Sequence, residues 1–237
     1  MPARHNGAAR QQNDSRGVFM YQLYGFIGSA SLAPRMVLEE LKLPYQFIRL
    51  DAEKGDHRNP AYLRLNPNGR VPTLVEGDEV LYEAAAICLH LCDRHPTSHL
   101  VPALGQPARG QLYKWLMFLT NTLQPALIAY FYPDRLSTDP ADAPAIKARA
   151  EQNAQQIYQQ LAEHLDSNGP YLLGAEFSVA DLYLLMLIRW GRWFAAPPVS
   201  SHPSLQRLVE LLSQREAVKA TFAAEGIPAP YCLLPTG

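Results

Sequence analysis

The hydrophobic pattern of this 237-residue chain changes once, near residue 96, and no other feature limits its fold as strongly. Before that point, short runs rich in β-branched and aromatic residues (18–24, 45–50, 71–75 and 79–82) alternate with two runs of helical period (33–41 and 83–95). A helix-length connection between the first two strands requires a parallel, right-handed βαβ unit. Glu76-Gly77-Asp78 between the last two is a compact hairpin signal, which makes that pair antiparallel. Between the two units, residues 51–65 read as an irregular loop with a brief helix near 61–65 that Pro67 ends.

The order βαβ then ββα is the plan of a thioredoxin-like domain, and periodicity by itself also admits other small α+β folds. Residues 96–107 hold three prolines and no sustained period, so 97–107 is expected to be a linker. Everything after it reads as helix: 111–129, 143–167, 179–193, and a last run that Pro203 opens and that closes about 210–212. Ser178 and Asp181 have the spacing of a capping box, with Phe177 and Leu182 placed as a hydrophobic staple. The expected fold is an α/β thioredoxin-like domain over 18–96 joined to an all-α domain over 108–237.

Composition enters by exclusion. Lys and Arg number 21 against 22 Asp and Glu, a net charge of −1 with no basic run, which argues against a nonspecific nucleic-acid binder. The longest strongly apolar run, 182–188, falls far short of the ~20 residues of a membrane span. Residues 1–17 are rich in Arg, Gln, Asn and Gly, lack the apolar core of a secretory signal, and are expected to be a disordered tail. Cys88, Cys92 and Cys232 form neither a disulfide framework nor a C-x-x-C pair, which points to a reducing, cytoplasmic setting. Cys88 and Cys92 stand one helical turn apart with His95 just beyond, but small apolar cysteines in a packed helix are the commoner arrangement, and no metal is expected.

Four local patterns stand in register with this plan, and together they resemble the glutathione transferase family. Gly28-Ser29-Ala30-Ser31-Leu32-Ala33-Pro34 is similar to the G-A-C-S-L-A-P stretch of the beta class. Asn66-Pro67-Asn68-Gly69-Arg70-Val71-Pro72-Thr73-Leu74 is similar to the N-P-x-G-x-V-P-x-L loop, and Glu83-Ala84-Ala85-Ala86-Ile87 to E-S-x-A-I. Phe177-Ser178-Val179-Ala180-Asp181 matches the F-S-V-A-D core of the helical domain. The resemblance covers everything after the tail. It implies a glutathione transferase that ionises the glutathione thiol for attack on a small, apolar electrophile in a detoxification role. It also implies a cytoplasmic homodimer paired through the outer face of the third helix and the helix that contains Gln111.

Roles for individual residues follow from the same resemblance. Ser31, just before the first helix, stands first as hydroxyl donor to the thiolate, where the helix N-terminus adds to the field; without the resemblance it reads as a helix cap. Tyr24, where Tyr-type members carry their phenol, stands second, and Ser29, in a Gly-Ser pair similar to theta-like enzymes, third. Val71-Pro72 is expected to be cis, offering the Val71 backbone to the glutathione peptide. Glu83 and the Ala84 N–H would receive the γ-glutamyl amine and carboxylate, Arg70 a glutathione carboxylate, and Asn68 belongs to the same loop.

Three departures from the family pattern bear on function. Ala30 stands where beta-class members carry Cys, Ala84 where Ser is usual, and Gln124 where a His is expected. They argue against Cys-dependent thiol exchange and place the chain outside the strict beta class. They also keep open a non-catalytic glutathione-fold protein for ligand binding or interaction, and the same scaffold and thiolate would serve a glutathione-dependent peroxidase or ether-cleaving enzyme. Most of the aromatic residues Tyr130, Phe131, Tyr132, Trp190, Trp193 and Phe194 are expected in the core.

Overall fold

Leu23 and Leu74 lie side by side on neighbouring strands and are almost fully buried. They mark the centre of a four-stranded sheet in the computed structural model, which describes residues 21–234. The expected tail lies outside the described residues. The sheet has the order β2-β1-β3-β4, with β1 at Tyr21–Gly25, β2 at Tyr45–Arg49, β3 at Thr73–Glu76 and β4 at Glu79–Tyr82. β1 and β2 are parallel and the other two pairs antiparallel, as the crossover and the hairpin require.

Helix α1 (Leu32–Glu40) makes the crossover, the short α2 (Pro60–Leu63) lies between β2 and β3, and α3 (Ala84–Arg94) follows β4. Met36, Val37 and Leu38 of α1 join Ile87, Cys88 and Leu91 of α3 in the core. Burial alternates along β1: Tyr21, Leu23 and Gly25 are buried while Gln22 and Tyr24 are half-buried. Tyr24 therefore points away from Leu23, and its ring lies 5.8 Å from that of Tyr62 in α2.

The second half is helical: α4 (Pro107–Phe118), α5 (Gln124–Phe131), α6 (Ala143–Asn168), α7 (Val179–Trp190), α8 (Pro198–Ser201), α9 (Pro203–Ser213) and α10 (Glu216–Ala224). Every residue of α7 is buried, so this helix is surrounded on all sides. The cores of the two halves merge into one cluster, and α1 packs against both α7 and α10. Among the described residues no helix is long and apolar enough to cross a membrane.

The structure departs from the expected helices in three places. The run expected over 111–129 begins at Pro107 and is broken by a π-turn at Leu119–Leu123. Pro125 in the first turn of α5 has no N–H for the carbonyl one turn back, and the wider turn accommodates that loss. The run expected over 179–193 becomes 3₁₀ at Gly191–Trp193, where Pro198 and the Tyr158 hydroxyl press so closely on Gly191 that a Cβ would collide with them. The sequence reading did not foresee α10, whose buried residues are Val218, Thr221 and Phe222.

The capping box is present as expected. The Asp181 carboxylate accepts the Ser178 N–H at 2.8 Å and the Ser178 hydroxyl at 3.0 Å, and reaches across to the Leu172 N–H at 2.8 Å. Burial pushes the Asp181 carboxyl up to about 6 against the pull of these donors. Asp181→Ala would strand two backbone N–H groups beside the fully buried α7. It should lower unfolding free energy by about 3 kcal/mol, read as a fall in the denaturant midpoint at unchanged slope.

Candidate active site

Three loops meet at one end of the sheet because of strand register. Tyr24 pairs with Thr73, and Thr73 with Tyr82. The exit of β1, the entry of β3 and the exit of β4 are therefore neighbours. These are the positions of the 25–31 loop, Val71-Pro72 and Glu83-Ala84. The Leu50 N–H donates to the Gly25 carbonyl at 2.9 Å and brings the exit of β2 to the same end.

The first loop is organised around two hydroxyls. Ser31 is fully buried, and its Oγ donates to the Phe26 carbonyl at 3.1 Å. Ser29 is half-buried; its Oγ donates to the same carbonyl at 2.9 Å and lies 2.9 Å from the Ser31 Oγ. Gly25 is required beside them, because a Cβ there would collide with the Ser31 hydroxyl and come within 2.8 Å of the Phe47 ring. Ser31 already has helical dihedrals and does not cap α1 with its side chain. Both serines stand together at the N-terminus of α1, whereas Tyr24 does not join them. The Tyr24 hydroxyl makes no hydrogen bond among the described residues, and burial raises its pKa.

Gly28, at a φ of +70°, is held from the helical domain. Its N–H donates to Glu225 Oε2 at 2.7 Å, and its carbonyl accepts the Trp190 Nε1–H at 3.0 Å. Glu225 Oε1 also meets Arg35 Nη1 at 3.2 Å, with the Glu225 side chain wholly enclosed. Burial raises the Glu225 carboxyl, while Gly28 and Arg35 pull it down. The Arg35 guanidinium lies 4.2 Å from the centre of the Phe47 ring, and its Nε donates to the Tyr45 hydroxyl at 3.0 Å. Neither Glu225 nor this use of Trp190 was legible in sequence, since each lies far along the chain from the loop it holds.

Val71-Pro72 is cis, as the resemblance implied, and Val71 precedes the first paired residue of β3. The loop before it is braced from within. The Tyr62 hydroxyl and Asn66 Nδ2 both donate to the Arg70 carbonyl, at 2.6 and 2.9 Å, and both lie within 3.2 Å of Thr73 Oγ1. Asn68 is exposed and its N–H donates to Asn66 Oδ1 at 3.1 Å. Arg70 is exposed and forms no ion pair among the described residues. Glu83 is exposed at a φ of +73° just before α3, and Ala84 opens that helix as a buried residue. His57 also belongs here: its ring stands edge-on to Phe26 at 5.3 Å, and its Nδ1 is buried without a partner. Burial, Arg58 and Arg135 lower its pKa. Residues 51–65 read as an irregular loop, so nothing in sequence marked His57.

Other expected features fall elsewhere. Gln124 accepts the Tyr183 hydroxyl at 2.6 Å. Cys88 and Cys92 are buried inside α3, where burial pushes the Cys92 thiol up to about 12 and that of Cys88 well above its ordinary value. Among the described residues the one group of possible metal ligands within mutual reach is Glu76, Glu79 and His90, and Arg94 already sits 3.0 Å from Glu76. The aromatic residues divide: Tyr130, Trp190 and Phe194 are core, while Phe131, Tyr132 and Trp193 are exposed. The exposed Phe131 stands edge-on to Trp190, the residue that touches Gly28, so an apolar surface borders the first loop.

Comparison with known proteins agrees with this geometry. The family model for the glutathione S-transferase N-terminal domain matches residues 20–93, and that for the glutathione S-transferase C-terminal domain matches residues 114–225. Glutathione S-transferase 3 of Zea mays is 32% identical over 203 residues, covering 82% of this chain and 89% of that protein. The crystal structure of a glutathione transferase homologue from Sulfitobacter with bound glutathione superposes with a TM-score of 0.77 at 28% identity, covering 89% of this chain and all of that one. The glutathione S-transferase of Xylella fastidiosa gives a TM-score of 0.80 at 29% identity, covering 88% of this chain and all of that one.

Proposed function

The chain belongs to the glutathione S-transferase family and is a glutathione transferase, and from that premise we propose how its site works. Glutathione is the co-substrate. Its backbone lies against the Val71 peptide left unpaired before β3, its γ-glutamyl group meets Glu83 and the Ala84 N–H at the start of α3, and Arg70 receives a carboxylate, with Asn68 in the same loop. The single observation that carries this reading is the strand register, which gathers these groups and the Ser29–Ser31 pair at one sheet end.

A free thiol with a pKa of about 8.5 is only about 3% ionised at neutral pH, and lowering that value by two units takes about 2.7 kcal/mol. The N-terminus of α1 and one hydroxyl donor supply an effect of this size. Ser31 ranked first in sequence, but its hydroxyl is fully enclosed, whereas Ser29 reaches the surface. We therefore assign the donor proton to Ser29. Its hydroxyl turns from the Phe26 carbonyl to the sulfur, and Ser31 keeps that carbonyl satisfied. The electrophile, small and apolar, packs against Phe131, Tyr132 and Trp193 beside the loop. No metal takes part, and the setting is cytoplasmic.

The enzyme acts as a homodimer. The Arg109–Asp93 ion pair, at 2.6 Å, ties α4 to α3, and Tyr113 and Met117 of α4, with Val80 of β4, are exposed apolar side chains.

Four outcomes test this reading. Ser29→Ala and Ser31→Ala should each lower kcat/KM with a chlorodinitrobenzene acceptor by about tenfold or more, and the double variant little further, because the two hydroxyls act as a unit. Tyr24→Phe should cost less; loss of activity in Tyr24→Phe with both serine variants active assigns the donor to Tyr24. Incubation with oxidised glutathione should leave the intact mass unchanged, because Ala30 stands at the helix start and the nearest thiols are buried. Sedimentation at micromolar concentration should give twice the chain mass, and a persistent monomer removes the dimer.

A further inference from the structure

Gly28 lies outside both the sheet and α1, so neither its N–H nor its carbonyl has a regular partner. Both groups are nevertheless satisfied, and both partners come from the other domain: Glu225, which closes α10, and Trp190, the last residue of α7. The Glu225 carboxylate is enclosed where α1 packs against α10, a contact that an apolar side chain would seal without the cost of burying a charge. Its hydrogen-bond donors are Gly28 and Arg35, both in the N-terminal domain, so its hydrogen bonds all serve the loop and the helix that follows. Ser29 is the next residue, and among the described residues its hydroxyl bonds only to Phe26 and Ser31 within the same loop. The two serines therefore move with the Gly28 peptide.

We propose that Glu225 and Trp190 are positioning residues, which grip both sides of the Gly28 peptide and so set where the Ser29 hydroxyl and the α1 N-terminus meet the glutathione sulfur. This rests on the function proposed above. The grip makes the thiolate-stabilising geometry a property of the docked domain pair rather than of the thioredoxin-like domain alone. A displacement of about 1 Å at a reacting group is enough to cost a large share of turnover, so loosening one contact acts on kcat before it acts on binding.

The test uses the full chain and two variants, the near-isosteric Glu225→Gln and the smaller Trp190→Phe. Glu225→Gln keeps an acceptor for Gly28 but removes the charge facing Arg35; Trp190→Phe removes the donor to the Gly28 carbonyl together with part of the indole ring. Amide hydrogen exchange over residues 28–31, which needs no ligand, should rise by about tenfold in each variant. The ultraviolet absorbance of bound thiolate at neutral pH should fall, and kcat should fall about fivefold with the KM for glutathione changed less than twofold. Glu225→Ala should fall further than Glu225→Gln. Unchanged exchange in both variants overturns the grip whatever the wild type does with glutathione. Faster exchange with thiolate absorbance and kcat at wild-type values also overturns the positioning role, since a merely structural contact would move only stability. A wild-type protein that binds glutathione without ionising it counts against the Ser29 assignment, and exchange over residues 28–31 still decides the grip.

Discussion

The register of three strands carries the rest of this molecule. Tyr24 opposite Thr73 and Thr73 opposite Tyr82 align one exit, one entry and another exit at a single sheet end. A slip of one residue would turn Leu23, Leu74 and Leu81 to the wrong face and separate the three loops together. Burial of Leu23 and Leu74 beneath α1 and α3 therefore enforces the register and assembles the site in one step. Stability and function draw on the same apolar contacts here.

At that sheet end the chemistry is built from short-range hydrogen bonds that leave little slack. Two serine hydroxyls share one carbonyl, and the absent side chain of Gly25 makes room for them. Tyr62 and Asn66 brace the loop that presents Val71, and the left-handed Glu83 turns the chain into α3. Such satisfied networks are rigid because each unmade bond in a buried place is costly. Among the described residues the Val71 peptide has no ladder partner and the Arg70 side chain no ion pair, which is what the proposed glutathione contacts rest on.

Much of this was legible in the chain itself. The βαβ and ββα units, the hairpin at Gly77, the helical second half and the capping box at Ser178 and Asp181 each rest on local pattern, and the structure has them within a few residues. Helix interruptions were less legible. The π-turn ahead of Pro125 is one that periodicity passes over, because the apolar spacing on either side of the turn stays close to helical. The short α10 follows α9 after only a brief break, with no local pattern to set it apart. Ser31 ranks first as donor by its place before α1, and its burial beside Gly25, on which the proposed assignment to Ser29 rests, could not be read from that place.

The division between sequence and tertiary structure follows from range. Local pattern in the sequence determined which segments are strand or helix, which end of the sheet the family motifs occupy, and that a cysteine is missing from the start of α1. These depend on residues within a turn or two of one another. Only the tertiary structure decided that Gly28 is held by Trp190 and Glu225, that His57 stands against Phe26, and which of two neighbouring serines reaches the surface. Those facts depend on groups brought together from distant parts of the chain, as far as 197 residues apart, or on which face of a loop the core covers. No spacing rule records such contacts, because the packing of one domain on the other creates them.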